Sequence, residues 1–132
     1  MRRIAQAAIA AGAAATVLAP AAAQAATTTV TGMLGTYASG RAETIGEAGL
    51  AAGAWRSYSV HPGYSGDDLW VTYTPRTRAH ASESPVYTAA FGAVADPQDE
   101  CRRVGADGAA LLVWVSYRCR TGFVPSYTLY VR

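Results

Sequence analysis

The sequence predicts an all-β domain: a small antiparallel β-sandwich, of jelly-roll or immunoglobulin-like type, with about six to eight strands. Threonine, valine, tyrosine and tryptophan cluster in short runs in which apolar and polar residues alternate. Groups of glycine, proline, aspartate and serine separate these runs at the spacing of turns. The chain has only two cysteines, Cys101 and Cys119, and in an exported protein such a pair forms a disulfide.

The first 25 residues have the features of a secretory signal peptide. Arg2 and Arg3 form a basic start, an apolar alanine-rich run covers residues 4–18, and a small-residue triplet at 23–25 precedes the predicted cleavage site. The run is shorter than the about 20 residues that a membrane-spanning helix needs. We therefore expect residues 26–132 to form a single domain that is secreted to the extracellular space and has no membrane association after cleavage.

Charge and composition narrow the classes of function. Outside the leader, nine arginines balance nine acidic residues, and the bias toward alanine, arginine and glycine is typical of a GC-rich bacterial genome. A neutral chain without a basic stripe does not fit nucleic-acid binding. Two histidines and two cysteines are too few for a transition-metal site, so we expect a monomer with no metal and no cofactor. The paired carboxylates of Asp67 and Asp68 leave calcium binding open.

Six strands are predicted, and turn residues separate them. The runs lie near residues 29–37, 54–60, 67–74, 85–91, 109–119 and 126–131. Glycines at 40, 53 and 122, a Pro-Gly pair at 62–63 and prolines at 75 and 85 provide the turns, and a proline at 125 precedes the last strand, where its missing N–H costs least. Segment 42–52 contains two internal glycines, which predict an irregular or extended connection rather than a helix. No internal repeat is visible.

Alternation within the strands separates an inner from an outer face. Leu69, Val71 and Tyr73 share one face of the third strand, which leaves Trp70 on the other. The same alternation predicts that Trp114 and Tyr130 also point outward, and if their strands are neighbours, the three rings form a patch that can stack on a sugar or contact a partner protein. Alternatively, both faces are covered, or the register is shifted by one residue. Two further aromatic residues, Tyr64 and Phe123, lie in predicted loops. The candidate ligand-binding residues are therefore Trp70, Trp114, Tyr130, Tyr64 and Phe123.

Residues 45–131 resemble the pre-peptidase C-terminal (PPC) domains of bacteria. The similarity lies in residues 50–60, a Pro-Gly turn, the run Asp68-Leu69-Trp70-Val71-Thr72, and the closing stretches 112–117 and 126–131. The resemblance implies a β-sandwich with a binding role and does not imply proteolysis. Members of that family usually carry an Asp-rich segment running into the middle strand, whereas residues 75–91 here have only Glu83. They are also normally appended to secreted hydrolases, for which this chain has no room.

No catalytic constellation stands out. A Ser/His/Asp arrangement can be written from His61, a neighbouring aspartate and one of several serines, but nothing in the sequence fixes it; the other histidine, His80, lies in a polar stretch. The segment 63–66 is one residue short of the Gly-x-Ser-x-Gly motif and lacks its strand–turn–helix context. We therefore predict a protein that is not an enzyme and binds a glycan, a cell-envelope polymer or an extracellular protein.

The alternative function is a secreted protease inhibitor. Such a protein needs a rigid exposed loop that presents a cleavable bond. The disulfide-closed stretch 102–118, with Arg102 and Arg103 beside Cys101, is the predicted bearer of that loop.

Overall fold

A computed structural model describes residues 27–122 and 126–132, so the predicted signal peptide and Phe123 lie outside the described residues. The described chain forms six strands and two helices. In chain order they are β1 Val30–Tyr37, α1 Arg41–Ala51, β2 Ser57–Gly63, β3 Gly66–Tyr73, β4 Ser84–Ala90, α2 Pro97–Ala110, β5 Tyr117–Thr121 and β6 Ser126–Val131.

The strands form two separate antiparallel sheets, each of three strands. The first sheet has the order β1-β3-β2 and the second the order β4-β6-β5. A disulfide between Cys101 and Cys119, with an S–S distance of 2.07 Å, links α2 to β5. The structure therefore confirms the predicted β-rich fold, its antiparallel sheets and its disulfide. The sandwich packing itself stays a prediction, and two helices occur that the sequence did not predict.

The two halves of the described chain repeat one βαββ unit. In each unit the last strand lies at the centre of the sheet, between the first strand and the strand that follows the helix. The first strand of each unit is bulged at the corresponding place, between Met33 and Gly35 in β1 and between Pro85 and Tyr87 in β4. A β-bulge that recurs at the same point of the same strand pairing is a specific structural feature and not a local irregularity. The expectation of no internal repeat is therefore wrong.

The repeat has a sequence signature that spans each helix and the strand after it. Gly46, Gly49, Trp55 and Tyr58 follow one another at the same spacing as the corresponding residues of the second unit, Gly105, Gly108, Trp114 and Tyr117. The Trp55 Nε1–H donates to the Gly46 carbonyl at 2.9 Å, and the second tryptophan makes the equivalent bond at 2.8 Å. The glycines leave room for the aromatic rings, since a Cβ at any of the four positions would overlap a ring. Segment 42–52 is thus helical, contrary to prediction, because ring packing on the glycine face outweighs poor helix propensity.

The predicted strand 109–119 is also wrong over most of its length. The second helix occupies its first residues, and β5 begins only at Tyr117. Val113 and Trp114 are neighbours in sequence and are both buried, which a strand with one covered face does not allow. Asp96 begins the second helix by accepting a hydrogen bond from the Asp99 backbone N–H at 3.0 Å.

The two units meet through pairs of equivalent residues. The rings of Trp55 and Trp114 lie 6.4 Å apart in the buried core. At the start of the helices, Arg41 contacts Glu100, its counterpart in the second unit. Each helix also contacts the first strand of the other unit. Contacts between equivalent residues are the property of an isologous interface, so the two units are arranged like the subunits of a two-fold dimer.

Candidate functional site

Trp70 lies at the centre of the outer face of the first sheet. Its neighbours across the sheet are Met33 on β1 and Ser59 on β2. The indole is 37% exposed, although Leu69 and Val71 beside it on β3 are fully buried. We call this surface the Trp70 face; it consists of the outward residues of the first sheet, namely Thr31, Met33, Thr36, Ser57, Ser59, His61, Asp68, Trp70 and Thr72.

Hydrogen-bonding groups lie beside the indole of the Trp70 face. The His61 ring lies edge-on to the indole, with 6.3 Å between centroids, and its Nε2 is 3.1 Å from the Ser59 hydroxyl. On the other side of the strand, the Thr36 hydroxyl donates to Asp68 Oδ1 at 2.6 Å. The face therefore combines an apolar ring with hydroxyl, imidazole and carboxylate groups that can hydrogen-bond a polar ligand. His61 and Ser59 are not among the predicted binding residues, although period-two alternation places them on one face of β2.

Ser59 and His61 lie as close together as the serine and histidine in the mechanism of a serine hydrolase do. Such a mechanism needs a carboxylate that orients the histidine. Asp68 lies opposite His61 in the sheet, but its hydrogen bond goes to Thr36. The three side chains therefore do not form a catalytic relay.

Tyr130 is the counterpart of Trp70 on the outer face of the second sheet, and its surroundings differ. The Arg120 guanidinium lies over the ring, 5.0 Å from its centroid. Glu83 holds this arginine in place by accepting hydrogen bonds from Arg120 at 2.9 Å and from Arg118 at 2.8 Å. The Tyr130 ring is therefore covered by the protein's own cation and does not offer an open stacking surface.

The other predicted aromatic candidates are scattered. Trp114 is 1% exposed, which corrects its assignment to an outer face: it packs on the second helix, and it belongs to the core with Trp55. Tyr64 is fully exposed at the two-residue turn between β2 and β3. The structure therefore does not bring Trp70 and Trp114 together into one patch.

Asp67 and Asp68, the two aspartates considered as calcium ligands, form hydrogen bonds within the protein. Asp67 Oδ2 accepts a hydrogen bond from the Gly40 N–H at 3.1 Å, at the start of the first helix, and Asp68 is bound by Thr36. Within residues 27–122 and 126–132 no three His, Cys, Asp or Glu side chains are grouped as metal ligands would be. No helix in this part of the chain is both long and apolar enough to cross a membrane.

The stretch proposed to carry an inhibitory loop is mostly helical. Arg102 and Arg103 lie on α2, and the helix continues to Ala110. A protease cleft binds a substrate-like chain in extended conformation, whereas these residues have their backbone hydrogen-bonded within a helix. The prediction of an inhibitory loop at 102–118 is therefore wrong.

Comparison of the chain with models of protein families, with curated proteins and with solved structures found no match. The resemblance to PPC domains stays a prediction. Any assignment of function therefore depends on the geometry of the faces and cavities described for this chain.

Proposed function

We propose that this protein is a secreted, non-catalytic binding domain whose Trp70 face binds a carbohydrate. The observation that carries the proposal is the exposed indole of Trp70 at the centre of an open sheet, with Ser59 and His61 beside it on β2. A disulfide and the lack of a membrane-spanning helix in the described residues fit an extracellular protein.

The chemistry of the face favours a sugar over an apolar ligand. A pyranose has an apolar C–H face and a rim of hydroxyl groups, so it needs a flat ring with donors and acceptors at the ring's edge. His61 and Ser59 supply such groups from β2, and Asp68, which lies opposite His61 on β3, supplies a carboxylate next to them. Stacking on a single ring contributes about 1 kcal/mol beyond area burial, so we expect weak binding that a repetitive polymer strengthens by multivalency.

Retention on insoluble polysaccharides tests the proposal. The oxidised protein is incubated with cellulose, chitin and peptidoglycan, and the bound fraction is compared with that of Trp70→Ala. We expect retention on at least one polymer and a loss of about tenfold in affinity for the variant, which corresponds to 1.4 kcal/mol.

Tyr130→Ala is the matched control, because it removes the equivalent aromatic ring from the covered face of the other sheet. It should bind like the wild type. Equal retention of Trp70→Ala and wild type, or no retention on any polymer, contradicts the proposal. Stoichiometric inhibition of trypsin-like or subtilisin-like proteases by the intact protein would support the alternative function instead.

A further inference from the structure

A cavity of about 340 Å³ lies between the two βαββ units, at the N-terminal ends of both helices. Ala38 and Ser39, which precede the first helix, form one wall, and Ala93, Val94 and Ala95, which precede the second helix, form the other. Its size is at the lower end of the range for small-molecule sites. The walls carry small side chains, so a ligand there meets methyl groups and backbone rather than bulky rings.

The floor of the cavity is a closed polar network. Glu100 Oε1 accepts hydrogen bonds from Arg41 Nε at 3.2 Å and from the Tyr87 hydroxyl at 2.8 Å, and Arg41 also contacts that hydroxyl. Tyr37 donates its hydroxyl proton to Asp107 at 2.8 Å. These groups satisfy one another, so a ligand is recognised by the charges at the rim.

Three rim charges have no ionic partner among the described residues: Asp96, Asp99 and Arg103. Asp96 caps the second helix by accepting a hydrogen bond from the Asp99 backbone N–H, which leaves Asp99 and Arg103 to meet a ligand. Arg103 lies over the Tyr37 ring and donates one hydrogen bond to the Thr36 carbonyl, but no carboxylate pairs with it. Within residues 27–122 and 126–132 the carboxylate of Asp99 has no hydrogen-bond or ionic partner; only its backbone N–H is bonded, to Asp96. Both residues line the cavity from the same helix, four positions apart. Four residues of helix rise about 6 Å, which separates the Cα atoms of the two residues along the helix axis.

We propose that this cavity binds a small zwitterion of dipeptide size, with its ammonium group on Asp99 and its carboxylate on Arg103. Two residues of extended chain span at most about 7 Å, which is comparable with the rise of about 6 Å between the Cα atoms of Asp99 and Arg103. The arginine fork binds a carboxylate with two parallel hydrogen bonds. The small residues of the walls accommodate small side chains. The site is separate from the Trp70 face, so either proposal can fail without the other.

The test uses the oxidised protein, labelled with ¹⁵N and titrated with L-alanyl-L-alanine at millimolar concentrations. We expect amide chemical shifts to move in residues 38–41 and 93–103 and to leave the Trp70 face unchanged. Asp99→Asn and Arg103→Gln should each weaken binding by about tenfold, as expected for the loss of one charge-assisted contact. Arg102→Gln is the matched control: this arginine lies on the same helix, is exposed and does not line the cavity.

Two analogues separate the roles of the ligand's charges. The N-acetylated dipeptide lacks the ammonium group and the dipeptide amide lacks the carboxylate; we expect each to bind about tenfold more weakly than the zwitterion. Asp99→Asn should not weaken binding of the acetylated form further. The proposal is overturned if the dipeptide moves no shifts in these segments, if both variants bind it like the wild type, or if the analogues bind as tightly as the zwitterion. Melting temperatures show whether loss of the Arg103 bond to Thr36 unfolds that variant, and Asp99→Asn, which keeps that bond, tests the site in any case.

Discussion

Arg41 and Glu100 occupy equivalent positions in the two βαββ units and bind each other, with 3.2 Å between Nε and Oε1. Two identical units would place like charges against each other at this point, and like charges at close range repel. Opposite charges favour the pairing of the first unit with the second rather than with its own copy in another chain. The pair therefore favours the arrangement in which the two different units face each other.

Glu100→Gln is expected to lower the free energy of unfolding by about 3 kcal/mol, because it leaves Arg41 mostly buried without its counter-charge. The side chains of Arg41 and Glu100 are only 16% and 8% exposed. Urea denaturation measures the change. Arg118→Gln removes a surface ion pair with Glu83, so it should cost less than about 1 kcal/mol. Similar costs for the two substitutions would show that burial does not strengthen the central pair.

Gly49→Ala is expected to destabilise the protein by about 3 kcal/mol, because the new Cβ overlaps the Trp55 ring. Gly108→Ala should behave alike, since its Cβ overlaps Trp114. At an exposed helical position the same change stabilises by about 1 kcal/mol through helix propensity, so the sign of the effect is diagnostic. Glu47→Ala, on the exposed side of the first helix, is the control and should be nearly neutral. A gain in melting temperature for either glycine variant would contradict the packing of the rings on the helices.

The disulfide occurs only in the second unit, because the residues equivalent to Cys101 and Cys119 are Ala42 and Val60. The double variant Cys101→Ala and Cys119→Val therefore gives the second unit the first unit's residues. We expect it to fold and to lose about 3 kcal/mol, as the chain-entropy model predicts for a loop of this length. Chemical denaturation of the variant and of the reduced wild type should give similar midpoints. A variant that equals the oxidised wild type would show that the bridge does not stabilise the fold.

Three tyrosines with raised pKa values predict a loss of stability at alkaline pH. Burial, with the hydrogen bond to Glu100, raises the pKa of Tyr87 above its ordinary value, and burial beside Asp107 does the same for Tyr37. The hydrogen bond to Glu43 raises the pKa of Tyr58 to about 12. Above about pH 10 the unfolded chain loses these protons while the native state keeps them, so the free energy of unfolding falls as the pH rises.

Denaturation at several pH values between about 9 and 11 checks this prediction. Tyr87→Phe and Tyr37→Phe should each reduce the slope, because each removes one group that the native state holds protonated. Absorbance of tyrosinate should rise together with unfolding for these residues. Constant stability across this range would contradict the raised pKa values.

Much of the sheet structure follows from the sequence. Strands predicted near 29–37, 67–74, 85–91 and 126–131 correspond to β1, β3, β4 and β6. The alternation of apolar and polar residues and the turn residues act locally, and tertiary packing does not override them in these strands. The outward position of Trp70 follows from the same alternation. The spacing of glycine, tryptophan and tyrosine that marks the two units is also present in the sequence, although only the structure made its meaning evident.

The sequence by itself determined a β-rich chain with one cysteine pair, strands of period two and an exposed aromatic residue on the third strand. Only the tertiary structure decided that two glycine-bearing segments are helices, that Trp114 is buried, and that Tyr130 is covered by Arg120. In each case a ring or a charge from another element decides the outcome. Tryptophan rings fill the space beside helical glycines six residues earlier in the chain, and helix propensity, which penalises glycine, does not report the packing that stabilises these helices.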